Sequence, residues 1–291
     1  MKQLPKVIAV IGPTASGKSD FAVEYALAHN GEIISTDSRQ VYEGLDIGTG
    51  KITHDEMKGV PHHMLDVYAP GEEVSVVRFR DDALPIIEDI FARGKTPIIC
   101  GGTGQYLDAL IYDETLPQVP PNATLRRELS HKTKEELFIM LQTSDSTRAK
   151  TIDKDNPARL IRALEIINHQ NFVPKQQKPE LRYTIEMYIM APSRDVLRDR
   201  IKRRIEKRLH QGMLEEVSTL LEKKIYSEQE LKRFGIEYYL IARYLRGELL
   251  EDEMKEKLFY AIYHYAKRQE TWNKKYTTIP AITLTMVTVK N

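Results

Sequence analysis

The chain has 291 residues, 41% of them hydrophobic, with 43 Lys and Arg against 42 Asp and Glu. That length admits one large domain or one domain carrying an insertion, and a net charge of +1 excludes a globally basic polyanion binder. A single cysteine, Cys100, leaves no disulfide framework and no cysteine metal site, and no apolar run reaches membrane-spanning length, so a soluble cytoplasmic protein is expected.

Val7 to Ile11 is apolar throughout, as a strand buried on both faces should be. Gly12, Gly17, Lys18 and Ser19 follow it at the spacing G-x-x-x-x-G-K-[ST], within the run Gly12, Pro13, Thr14, Ala15, Ser16, Gly17, Lys18, Ser19. The next residues, Asp20 to His29, carry helical spacing. Strand, glycine loop and helix are the context in which this pattern grips linked phosphates. Loop N–H groups and the helix N-terminus supply partial positive charge, Lys18 supplies a full one, and the Ser19 hydroxyl suits a magnesium ion.

Glu32 to Thr36 reads as a second strand, and Asp37 stands just past its end in DSRQVY. Ligands of open α/β sheets bind outside the carboxyl ends of the strands, so Asp37 is a site candidate by position, with a turn or cap role as the alternative. Gly44 to Lys51 is glycine-rich, either a second anion contact or a turn. His62, His63 and Asp66 lack a third nitrogen or sulfur ligand at suitable spacing, and a structural loop is expected. Val76 to Ala92 has Phe79, Ala83, Ile86, Ile87 and Ile90 on one helical face; Thr96 to Cys100 is a third strand, ending in GGTGQY with Thr103 as a hydroxyl candidate.

Leu116 to Asn122 breaks the sheet layout, and 117–156 reads as an inserted helical lobe within a core made of 1–116 and 157–291. Arg159 and Arg162 share a helix face. Arg182 to Ala191 returns to strand character, and a long helix follows from Pro192 to Lys223, interrupted near Gly212. Ile201, Ile205 and Leu209 form its apolar stripe, with Arg200, Arg204 and Arg208 as a ridge beside it. Arg194 to Arg208 holds eight Lys or Arg against three Asp or Glu, a local basic face in a balanced protein. Further helices are expected at Ile236 to Leu245 and Asp252 to Tyr276. The latter mixes Tyr260, Tyr263, Tyr265 and Trp272 with basic residues, and core packing is expected for most of these rings. Ile279 to Val289 reads as a terminal strand or ordered tail.

Taken together, GPTASGKS (12–19), DSRQVY (37–42), DIGTGK (46–51), VPHHMLD (60–66), GGTGQY (101–106), DNPARLIRALEI (155–166), RIKRRIEKRLHQGMLEEV (200–217) and AKRQETW (266–272) resemble the tRNA dimethylallyltransferases, in order and over nearly the whole chain. The departures are Ser19 where Thr is common, Arg208 where Met is common, Phe234-Gly235-Ile236-Glu237 in place of a pattern like IGYKE, and Asn273 after the Trp. The resemblance implies an α/β fold, a P-loop NTPase-like parallel sheet flanked by helices, with an inserted helical lobe and a helical C-terminal region. It also implies transfer of a dimethylallyl group from its diphosphate to N6 of the adenine 3′ of the anticodon, in tRNAs reading codons that begin with U. The loop 12–19 would hold diphosphate with Mg2+ on Ser19; Lys18, Thr14 and Arg204 would support the departing charge, and Asp37 would take the N6 proton. Asp37, Ser38, Arg39, Gln40, Thr103, Arg159 and Arg162 would contact tRNA, the lobe would meet the anticodon stem-loop, and a monomer is expected. A P-loop small-molecule kinase and an adenylate isopentenyltransferase are the competing readings.

Overall fold

The computed structural model describes residues 4–113, 117, 119–170 and 180–289. It divides into two compact units, Met1–Tyr112 with Leu181–Asn291, and Asp113–Glu180. The inserted unit is therefore longer than the expected 117–156, because the helix Pro157–Gln170 packs with the other lobe helices. The expected entry at Leu116 lies outside the described residues.

The first unit is built on a six-stranded sheet. Four strands come early: β1 (Lys6–Ile11), β2 (Gly31–Thr36), β3 (His62–His63) and β4 (Thr96–Gly101). The strands Thr184–Pro192 and Ile282–Val289 complete it. The order is β3, β2, β4, β1, Thr184–Pro192, Ile282–Val289, and every neighbouring pair is parallel. Val7, Ile8, Ala9 and Val10 are fully buried, which is what an unbroken apolar run achieves when helices cover both faces of a sheet. The stretch at Ile279 to Val289 thus resolves as a sheet strand from Ile282 to Val289. His62 and His63, expected in a loop, make a two-residue edge strand against Ile33 and Ile34.

Helices α1 (Lys18–Ala28), α2 (His54–Met57) and α3 (Val76–Ala92) connect the early strands, and α4 (Gly104–Ile111) follows β4. The second unit holds α5 (Ala123–Ser130), α6 (Lys134–Ser144), α7 (Ser146–Ala149) and α8 (Pro157–Gln170) around Leu129, Leu137, Leu141, Leu160 and Ala163. Its buried Glu165 accepts bonds from Arg126 (2.9 and 3.0 Å) and the Asn122 N–H (2.6 Å), and it pairs with Arg162.

After the strand Thr184–Pro192 come α9 (Arg194–His210), α10 (Met213–Glu222), α11 (Glu228–Phe234), α12 (Ile236–Leu245) and α13 (Glu251–Asn273). The expected long helix breaks at Gly212, whose φ of 100° is left-handed and caps α10. The buried stripe of α9 runs Leu197, Ile201, Ile205 and then Arg208, so the guanidinium of Arg208, not Leu209, takes the last buried turn.

Candidate active site at the carboxyl edge of the sheet

Pairing registers align Thr36 with Gly101 and Gly101 with Ile11. Three neighbouring strands therefore end in one row, and the next residues on each are Asp37, Gly102 and Gly12. With parallel strands roughly 4.8 Å apart, the exits of β2 and β1 stand about 10 Å from one another, a span that a diphosphate and the edge of a purine can fill.

The loop 12–19 closes tightly. The Ser16 N–H donates to Pro13 O (3.2 Å), and Ala15 and Gly17 hold φ values of 62° and 84° before α1 begins. Ser16 Oγ is buried and has no hydrogen-bond partner among the described residues, the state expected of a group awaiting an anionic oxygen. Lys18 Nζ lies 3.5 Å from Pro13 O. Burial pushes the Lys18 amine below its ordinary value; the Cys100 thiol and the Asp37 carboxylate oppose that shift, and Arg204 and Arg208 add to it.

The arginine ridge of α9 reaches the loop. The Arg200 guanidinium donates to Ser16 O (3.3 Å). Arg204 lies 3.4 Å from both Thr14 Oγ1 and Gly50 O, and Arg208 donates to Gly48 O (3.2 Å). Burial pushes the Arg204 and Arg208 guanidinium groups down from their ordinary values, and for Arg208 the neighbouring Arg204 is the next cause. Lys18, Arg204 and Arg208 are thus crowded cations in a half-dry cradle, and a diphosphate is the ligand that would relieve them.

Asp37 Oδ1 accepts the N–H groups of Arg39 (2.9 Å) and Gln40 (3.3 Å). The turn role is thus present and uses Oδ1. Its charge is felt by Lys18, Arg204 and Tyr265; burial, with Asp37 next, pushes the Tyr265 hydroxyl up to about 12. Thr103 stands at the N-cap of α4 but makes no cap bond. Its hydroxyl instead accepts the Ser38 N–H (3.0 Å). Arg39 pairs with Glu237 (3.0 Å) and lies 5.3 Å over the Tyr265 ring; Gln40 Nε2 donates to Gly50 O (3.1 Å). Ser38, Arg39, Gln40 and Thr103 are thereby knitted into the floor of the site. Arg159 and Arg162 belong to the second unit, where Arg162 is engaged by Glu165 and donates to Val119 O (2.8 Å) while Arg159 sits 3.6 Å from Asp153.

The glycine loop 44–51 does contact an anion, but an internal one. Glu216 accepts the N–H groups of Ile47 (2.7 Å) and Gly48 (2.9 Å) and the Tyr238 hydroxyl (2.9 Å). A Cβ at Gly50 would fall onto the guanidinium groups of Arg204 and Arg208, and its φ is +65°. For a divalent cation, the Ser19 hydroxyl in the first turn of α1 is a hard oxygen donor of the kind Mg2+ takes, and it would leave the remaining positions to water and phosphate.

Sequence reasoning missed Gln269, whose Oε1 accepts the Thr14 N–H (2.7 Å) and whose Nε2 donates to Gly102 O (3.0 Å). The signal was there: Leu258, Ile262 and Ala266 set the buried stripe of α13, and Gln269 is the polar residue that continues it. Of the rings of that helix, Tyr263 and Trp272 pack against the edge of the core, as expected for most of them, but none is fully buried. Tyr260 is exposed, Tyr263, Tyr265 and Trp272 are half-buried, and Lys267, Arg268 and Lys275 lie over the last three. His264, Lys267, Arg268, Thr271, Trp272 and Lys275 line an open groove of about 590 Å³.

A parallel α/β sheet with a phosphate-type glycine loop, cations converging on that loop and a carboxylate at a strand end on the same edge defines a P-loop-type transferase site. The chain matches the IPP transferase family over residues 40–276 and the Isopentenyl transferase family over residues 5–69. It belongs to the IPP transferase family. It is 40% identical over 271 residues to the tRNA dimethylallyltransferase of Anoxybacillus flavithermus, covering 92% of this chain and 86% of that one. It is 37% identical to the Exiguobacterium sp. enzyme of the same name, over 94% of this chain and 88% of the other. Among solved structures, the full-length tRNA isopentenylpyrophosphate transferase of Bacillus halodurans superposes with a TM-score of 0.70 at 37% identity, covering 97% and 90% of the two chains. A eukaryotic dimethylallyltransferase captured acting on tRNA reaches 0.82 at 25% identity, over 98% of this chain and 74% of that one. Among the described residues, no helix is long and apolar enough to cross a membrane.

Proposed function

We propose that this protein is a tRNA dimethylallyltransferase. The dimethylallyl carbon bonds to N6 of the adenine 3′ of the anticodon in tRNAs reading codons that begin with U. The carbon–oxygen bond to the diphosphate breaks, the diphosphate leaves with the electron pair, and the N6 proton passes to the Asp37 carboxylate. The observation that carries this reading is the convergence of Lys18 and the Arg204–Thr14 contact on one loop, with the Asp37 charge near enough to act on both cations.

An adenine amino group is a weak nucleophile, so the site must make the leaving group good and relieve nitrogen of its proton. Lys18, Arg204 and the loop N–H groups are fixed before substrate arrives, so they stabilise departing charge without reorganising. The acceptor bonds to Arg39 and Gln40 N–H groups hold Asp37 through Oδ1, which supports its reading as the general base. Mg2+ held through Ser19 would add charge neutralisation on the diphosphate. The target base must leave the anticodon stack to reach this edge. The basic groove on α13, Arg159 and the helical unit 113–180 supply phosphate contacts and loop recognition.

The test is direct. Unmodified tRNA is incubated with dimethylallyl diphosphate, digested to nucleosides and analysed by mass; a five-carbon addition on one adenosine is expected. Absence of that product, or an equal product on free AMP, overturns the assignment.

A further inference from the structure

We propose that Gln269 is the positioning residue of the diphosphate loop, setting the loop's shape from the C-terminal helix. For its ligand this role rests on the dimethylallyl diphosphate reading above.

Gln269 is buried, 6% exposed, on a helix face otherwise made of Met254, Leu258, Ile262 and Ala266. A polar side chain is tolerated there only if both ends of its amide are satisfied. Both are. Oε1 takes the Thr14 N–H and Nε2 gives to Gly102 O, which fixes the amide orientation, since one partner can only donate and the other only accept. These two partners are the loops leaving β1 and β4, adjacent strands of the sheet. No other side chain among the described residues bonds to backbone in both loops.

Thr14 is the pivot of the cradle. Its N–H is pinned by Gln269 while its Oγ1 meets Arg204 from α9. Fixing the N–H fixes the plane of the peptide entering Thr14, while the Arg204 contact meets its hydroxyl from the other side. Gly102 is matched to this arrangement: a Cβ there would fall on Gln269 Nε2 and come 3.9 Å from Lys18 Cε. Glycine is needed at 102 for close approach rather than for backbone conformation. One amide thus sets the spacing between the phosphate loop and the strand exit beside it, and α13 is docked by the same bonds.

The test compares inorganic diphosphate binding to wild type and Gln269→Glu by calorimetry, with Tm recorded at each pH. In the variant, a protonated carboxyl reproduces both bonds. An ionised one still accepts from Thr14, but cannot donate to Gly102 and turns negative charge toward the cradle. The other charged groups near this point, Lys18 on α1, Arg204 on α9 and Asp37 after β2, are common to both proteins, so the affinity ratio at each pH isolates position 269. Near pH 5.5 the variant is expected within about threefold of wild type, and by pH 8.5 weaker by about tenfold or more, with Tm changing far less. In turnover assays the loss is expected in KM for dimethylallyl diphosphate rather than in kcat. Gly102→Ala, which displaces the amide from the opposite side, is expected to weaken diphosphate comparably. A pH-independent ratio in folded Gln269→Glu overturns the assignment, as does wild-type affinity in Gly102→Ala. So does failure of wild type to bind diphosphate. If wild type binds diphosphate but leaves tRNA unmodified, the prenyl-transfer reading falls while the role of Gln269 stands.

Discussion

One carboxylate oxygen of Asp37 shapes the turn that follows β2, and the proposed chemistry falls to the other. Asp37→Asn keeps an acceptor for the turn while removing the base. Turnover is expected to drop by about 10²–10⁴-fold with tRNA affinity nearly unchanged, measured by single-turnover prenylation and filter binding. Arg208 is one of the positions at which the sequence departs from the pattern it resembles, and its guanidinium donates to the Gly48 carbonyl beside Arg204. Arg208→Met removes one of the crowded cations. KM for dimethylallyl diphosphate is expected to rise several-fold while kcat holds, since the remaining Lys18 and Arg204 still meet the leaving group.

At the scale of elements, α9 and the loop 44–51 act as one piece. Arg204 and Arg208 hold carbonyls of the loop from one side, and Glu216 on α10 holds its amides from the other. Gly50→Ala would push a methyl into both guanidinium groups at a left-handed φ. It is expected to raise KM for dimethylallyl diphosphate more than Arg208→Met does, and steady-state kinetics on the two variants decide this. Much of this level was legible in the sequence. The unbroken apolar run Val7 to Ile11 announced a central strand, and the four-residue spacing of Arg200, Arg204 and Arg208 announced a ridge. What was not legible has physical causes. Helix α11 was overlooked although Ser227 and Glu230 spell a capping box, because its seven residues are too short to show periodicity. The extent of the second unit could not be read because α8 continues the helical pattern across the expected boundary. The stripe of α13 marks Gln269 as a buried polar residue, but its partner could not be read, because a bond between positions 255 apart leaves no local mark.

At the scale of the whole molecule, the sheet carries one buried acid far from the chemistry. Glu32 on β2 is 2% exposed and is met by Arg93 (2.8 Å), Lys95 (2.7 Å) and His63 (2.8 Å). The Arg93 hydrogen bonds hold its carboxyl well below the usual carboxylate range, against the opposing effect of burial. A depressed carboxylate contributes stability that is present above its unfolded value, near pH 4.5, and is lost as pH falls toward the folded one. Glu32→Gln is therefore expected to be less stable than wild type at pH 7 by about 1–3 kcal/mol, and to lose less further stability on acidification. Parallel denaturant curves at pH 7 and pH 4 check both statements.

The amide that joins Thr14 to Gly102 also imposes a timetable on the ribosome. At roughly 5–20 residues per second, the partner for the first loop emerges on the order of 10–50 s after that loop does, once the 255 intervening positions have been made. Until then the nascent phosphate cradle lacks its far wall, and the strand Ile282–Val289, which finishes the sheet, is later still. A chain cut short before α13 would keep every residue of the glycine motif and still lack the bond that ties it to the exit of β4.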